Sequence, residues 1–139
     1  MASDDGGGDF NHFPEITRAL DTALKALVVK GAHDVEAASK AQIRANHQID
    51  TGNMVNGVYT STASEGSTYP GSATTDLADP APTPEDEYTA YVGYAANYSV
   101  YQNYGTRYQP ARPFVEPAVD EVQAAIDEAL SAIADRLGR

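Results

Sequence analysis

Asp50-Thr51-Gly52 is the tripeptide in this chain with the most specific chemistry attached to it. In an acid protease built from one-loop subunits, two such turns meet across a dimer. Their carboxylates then share a proton, because both cannot ionise at close range. That loop normally follows an apolar strand and precedes a small residue. Here it follows Ala45-Asn46-His47-Gln48-Ile49, which reads as the tail of a helix, and precedes Asn53. A turn accounts for the same residues: Asp50 and Thr51 offer capping oxygens and Gly52 accepts a backbone angle that others resist. An aspartic-type protease using Asp50-Thr51-Gly52 in a dimer is the enzymatic alternative; the main expectation is that the chain is not an enzyme.

The other candidates for chemistry are weaker. His12, His33 and His47 are dispersed, without the i+4 spacing of helical zinc ligands, and are expected to face solvent. Asp76, Asp79, Glu85, Asp86 and Glu87 are acidic enough to attract a divalent cation, but lack the alternating register and turn glycine of a calcium loop. A solvated acidic loop is the simpler reading. No metal and no cofactor are expected. Tyr88, Tyr91, Tyr94, Tyr98, Tyr101, Tyr104 and Tyr108 crowd one stretch. Stacking on single-stranded bases would need cations nearby, and none occurs between Arg44 and Arg107. Part of the row belongs to the core, and the rest to contacts between protein surfaces, where tyrosine gives large area with few torsions to freeze.

These residues are carried on a chain of 139 residues, enough for one domain with its own core. With no cysteine, disulfide frameworks, thiolate metal sites and cysteine nucleophiles are excluded. Twenty acidic against nine basic residues give a net charge of −11, which opposes tight binding to a phosphate backbone but suits a passage through which DNA slides. Solubility alone is the plainer explanation. Only three lysines, many alanines and surplus acid also suit a brine-adapted, halophilic setting, where the screening length falls to a few ångströms. No signal peptide and no membrane span are read, so a soluble protein used without export is expected.

The elements follow from spacing. Residues 1–13 read as a flexible acidic segment, and 14–139 as the single domain. Pro14-Glu15 suits a first helical turn, and Ile16, Leu20, Leu24, Leu27, Val28, Val35 and Ala38 recur on one face of a helix over about 14–47, with a bend at Gly31. Val58–Thr62 begins a strand. Ser64–Glu87 is poor in apolar residues and rich in Ser, Thr, Gly and Pro, which predicts an exposed hairpin loop. The return strand is Glu87–Gly93, with Tyr88, Ala90 and Val92 on one face and Thr89 and Tyr91 on the other. Asn97–Tyr104 makes short helical turns closed by Gly105. Arg107–Pro113 is a proline-bounded link. From Pro117 a second helix carries Val119, Val122, Ile126, Leu130, Ile133 and Leu137 at helical spacing. The fold class is α+β: a long N-terminal helix, a small antiparallel sheet with a long hairpin loop, and a C-terminal helix. Phe114 is read as the anchor of that last helix.

Three stretches together resemble the neck, or minor tail-component, family of long-tailed phages and related archaeal tailed viruses. They are Asp50-Thr51-Gly52-Asn53-Met54 after the long helix; the series Tyr91-Val92-Gly93, Tyr98-Ser99 and Tyr104-Gly105-Thr106; and Ala111-Arg112-Pro113-Phe114-Val115-Glu116-Pro117-Ala118 before the last helix. Their order and spacing over roughly two thirds of the chain carry the resemblance. Asn103 stands where relatives commonly place an acid, and the 64–87 loop is longer and more acidic than the family's hairpin turn.

The resemblance implies a structural virion protein of the neck, located in the virion and in host cytoplasm during assembly. It would form a homo-oligomeric ring of roughly six or twelve copies, between head-side connector and tail-side proteins. DNA would pass through without specific binding, and no membrane is involved. Tyr98, Tyr101, Tyr104, Arg107 and Arg112 are the expected interface residues, Arg112 through a forked ion pair to a neighbouring carboxylate. Asp50, Thr51, Gly52, Gly93, Gly105, Thr106, Pro113, Phe114 and Pro117 form the structural motif. A free-standing accessory binding protein is the third reading.

Overall fold

The computed structural model describes residues 5–46, 53–70 and 77–137, with the side chains of 5–14 and of Asn53 excepted. Helix α1 spans Asp5–Ala45 and a single turn, α2, spans Asn53–Asn56. Three strands follow, β1 (Val58–Thr62), β2 (Gly66–Ser67) and β3 (Ala90–Tyr94). Helices α3 (Ser99–Tyr104) and α4 (Val115–Leu137) complete the order. This is the α+β arrangement expected, with two corrections of extent. Helix α1 begins ahead of Pro14, inside the stretch expected to be flexible, and nothing about Pro14 accounts for that earlier start. Helix α4 begins at Val115, so Pro117 is its third residue; a proline is tolerated throughout a first helical turn, where N–H groups have no intrahelical acceptor.

The strands form one antiparallel sheet in the order β2-β1-β3. Val58 pairs with Tyr94 and Thr60 with Val92, which sets these four side chains on one face of the sheet. That face meets α1, where the Ser39 hydroxyl and the Tyr94 phenol lie 2.8 Å apart. Burial pushes the Tyr94 phenol above its ordinary pKa, outweighing the opposing effect of the Ser39 bond. The core proper gathers Ile43 of α1, Met54 and Val55 of α2, Val58 of β1, Ala96 and Phe114. Helix α1 continues through Gly31 without interruption. The use of that glycine is a close approach of helices: a Cβ there would stand 3.2 Å from Ile126 Cδ1 of α4.

The opposite face carries Tyr59 and Ser61, paired with Gly93 and Tyr91. All five residues of β1 are buried, so this second face is covered as well. The cover is the segment expected to be an exposed loop. Most of its described side chains do face solvent, but its backbone is tied down. The Ala81 N–H donates to the Tyr59 hydroxyl at 2.9 Å, the Ser61 hydroxyl to Pro82 O at 3.3 Å, and the Tyr69 hydroxyl to Ala78 O at 2.6 Å. Leu77 bridges Ala96, and Pro84 is buried. Strand β2 adds further pairing, Ser61 with Ser67 and Thr62 with Gly66.

Tyr59 reaches the cover across Gly93, and a Cβ on that glycine would stand 2.2 Å from the Tyr59 ring. Gly93→Ala is therefore expected to push the ring out of register with Ala81 and Tyr69 and to destabilise by about 1–3 kcal/mol, the range for overpacked sites. Urea denaturation monitored by circular dichroism measures it.

Candidate interaction surface around the third helix

The link between α3 and α4 is built from the outside inwards. Gly105 closes α3 with φ at 80°, a left-handed backbone that glycine adopts without a Cβ penalty, while its N–H donates to Tyr101 O. A Cβ at Gly105 would also lie 2.6 Å from the Ala111 nitrogen. Thr106 and Gln109 then exchange backbone hydrogen bonds, and the Thr106 hydroxyl accepts from the Tyr108 N–H at 3.1 Å. Arg107 and Tyr108 occupy the tip of this closed turn, with the guanidinium carbon 5.0 Å from the Tyr108 ring centroid.

Past the turn, the chain is led back to the core by amides. The Arg112 N–H donates to Gln102 O at 2.9 Å, and the Asn46 side-chain amide donates to Arg112 O and Pro113 O. Phe114 follows at 1 % exposure, its ring edge-on to Tyr94 with centroids 5.4 Å apart. The start of α4 is held by Asn103, itself buried at 3 % exposure in α3. Asn103 Oδ1 accepts from the Phe114 N–H at 2.9 Å and the Val115 N–H at 3.1 Å, and its Nδ2 donates to the Glu116 carboxylate. One side chain from α3 thus does for α4 what a local N-cap residue usually does.

With Ser99 and Asn103 turned inward, α3 exposes Val100, Tyr101 and Tyr104, and Tyr108 stands out at 84 % exposure. Of the expected interface residues, Tyr101, Tyr104, Arg107 and Arg112 lie on this exposed surface; Tyr98 is half-buried against the core. A cleft of about 380 Å³ opens beside α3, between Tyr94, Val100, Tyr104, Phe114 and Val115. Of the structural-motif residues, Gly93 faces Tyr59, while Gly105, Thr106, Pro113, Phe114 and Pro117 belong to this link. Asp50, Thr51 and Gly52 lie outside the described residues, as do His47, Asp76 and the His12 side chain. His33 Nε2 meets Glu65 at 2.7 Å. Among the described residues no group of three or more His, Cys, Asp or Glu gathers to hold a metal, and no helix is long and apolar enough to cross a membrane.

The sequence reading missed Asn103, Asn46 and a second tie, at the end of the insertion. There the Tyr88 hydroxyl donates to Asp21 of α1, and Lys25 bridges Asp21 at 3.0 Å and Glu87 at 3.2 Å. The Tyr88 hydrogen bond, with Lys25 beside it, holds the Asp21 carboxyl below its ordinary value of 3.8; Asp21 in turn raises the Tyr88 phenol above 10.0. A depressed acid stabilises the fold above its unfolded value, and that contribution is lost as pH falls through the folded one. A raised phenol contributes below its unfolded value and loses it as pH rises through the folded one. The tie is accordingly expected to hold from mildly acidic to alkaline solution and to open only below pH 3.8 or above pH 10.0. The Tyr88 ring resonances across a pH titration report it, and Tyr88→Phe should move the acid-side titration of Asp21 upward while the Lys25 bridge remains.

Compared with known proteins, the chain matches no protein-family model, no curated protein and no solved structure.

Proposed function

We propose that this chain is a non-catalytic subunit of the neck of a tailed virus, joining copies of itself into a ring between the head-side connector and the tail and leaving an opening for DNA. The observation that carries the reading is the Ala111–Ala118 segment. Its Arg-Pro-Phe wording resembles the neck family, and its Phe114 is the largest of the fully buried side chains, beside a surface of outward-turned tyrosines. Asn103 and the Gln102–Arg112 hydrogen bond tie α3 to that segment, and tyrosine has few torsions to freeze when it is covered. The excess of acid supports the same reading, since a negatively charged opening repels the phosphate backbone and lets it slide. In a brine-adapted host the same charge would be screened between neighbouring copies.

Negative-stain microscopy of the purified protein tests the proposal. Closed rings are the expected result. A chain that stays monomeric at every protein and salt concentration, and is missing from purified virions, would overturn it.

A further inference from the structure

We propose that the Arg107–Tyr108 turn of one copy seats in an acidic notch on the next, lined by Pro82, Thr83, Glu85, Asp86, Thr89 and Tyr91. This rests on the ring-subunit reading and names the two surfaces that close the contact.

The projecting half is ordered before any partner arrives. Reciprocal Thr106–Gln109 bonds fix the turn, Tyr108 is bonded back to Thr106, and the Arg107 guanidinium lies over the Tyr108 ring. The backbone of the turn is thus fixed before contact, and Tyr and Arg are among the side chains that dominate binding energy when covered. Arg107 also differs from the lysines of α1. Lys25, Lys30 and Lys40 each meet a carboxylate of their own chain at 3.2 Å or less, whereas Arg107 meets none among the described residues.

The receiving half is an indentation of about 260 Å³ in the tied-down insertion. Its wall is braced, because Asp86 Oδ1 accepts the Tyr88 N–H at 2.9 Å and the adjoining Glu87 is held by Lys25. Glu85 lies on its rim with no basic side chain paired to it among the described residues, and Tyr91 supplies an aromatic surface.

Charge selects the occupant. Two copies carrying −11 each repel in most orientations, and the sequence between Arg44 and Arg107 contains no cation at all. Bringing the Arg107 turn against the Glu85 notch sets a cation of one copy on an anion of the next. Because the two patches differ, the contact is heterologous, the kind that closes into a ring when the rotation permits.

Sedimentation velocity on the full chain, with circular dichroism to check folding, tests it. Wild type is expected to assemble. Arg107→Glu and Glu85→Arg should each raise the concentration needed for half-assembly about tenfold or more. Combining the two should recover it to within about threefold of wild type, by the logic of a double-mutant cycle. Where a charge reversal perturbs folding, Arg107→Ala and Glu85→Ala replace it, with weakening by each alone and no further weakening when combined. If wild type assembles and the single variants assemble equally well, or the paired reversal fails to recover, this contact is wrong and the ring reading stands. Wild type that never assembles overturns both.

Discussion

Phe114→Ala is expected to lower stability by about 3–5 kcal/mol, the range for large aromatic side chains truncated in a core. For a domain of this size that corresponds to a fall in melting temperature of roughly 10–20 °C. The ring shares its core with Ile43, Met54, Val55, Val58 and Ala96, and Tyr94 meets it edge-on. The loss should not stay local. Phe114 is the residue immediately before α4, so the helix loses its fixed start at the same time as the core loses its largest member. Scanning calorimetry checks the prediction, and an unchanged melting temperature would show that the phenyl ring is not buried.

Asn103→Leu should cost about 2–5 kcal/mol, although leucine fills nearly the same volume. The substitution strands the Phe114 and Val115 N–H groups, and an unsatisfied buried polar group costs about 1–3 kcal/mol each. Glu116 loses a donor as well. Asn103→Asp separates these effects: it keeps an acceptor for both N–H groups but sets a second carboxylate beside Glu116. Its cost at neutral pH should be smaller than that of leucine, and should shrink further near pH 4 as the carboxylate pair takes up a shared proton. Chemical denaturation of both variants at about pH 7 and pH 4 distinguishes loss of acceptors from charge repulsion.

Both long helices were legible from the repeat of three and four in side-chain type, but the stripes are only partly covered: Val122 is buried and Leu24, Leu27, Val28 and Ile126 are half-buried, whereas Ile16, Val119, Leu130 and Leu137 are exposed. Phe114 was legible as the large apolar residue that follows the proline-bounded link and precedes the last helix. Asn103 was not: it lies 11 residues before the first N–H it satisfies, and a cap supplied from another helix leaves no spacing to read. The insertion misled for a different reason. Its low apolar content correctly predicts that few side chains are buried, but the ties to Tyr59, Ser61 and Tyr69 use the backbone groups of Ala81, Pro82 and Ala78, which every sequence possesses. Gly31 shows a third limit. Its closeness to Ile126 of α4 is a contact between distant segments that leaves no spacing to read. The interface residues were found by type, and the fold adds their order: α3 and the turn after it present Tyr101, Tyr104 and Tyr108 outward while Tyr98 turns back.

The shared core of Ile43 and Phe114 has a consequence for how the subunit is made. At about 5–20 residues per second, the stretch between them takes a ribosome roughly 4–14 s to synthesise. During the later part of that interval α1 leaves the tunnel with its apolar stripe uncovered, since its main packing partner, α4, has yet to be translated. Nascent chains on one polysome therefore expose like surfaces to one another before any is able to mature, and co-translational chaperone capture during that delay would set the yield of native subunits.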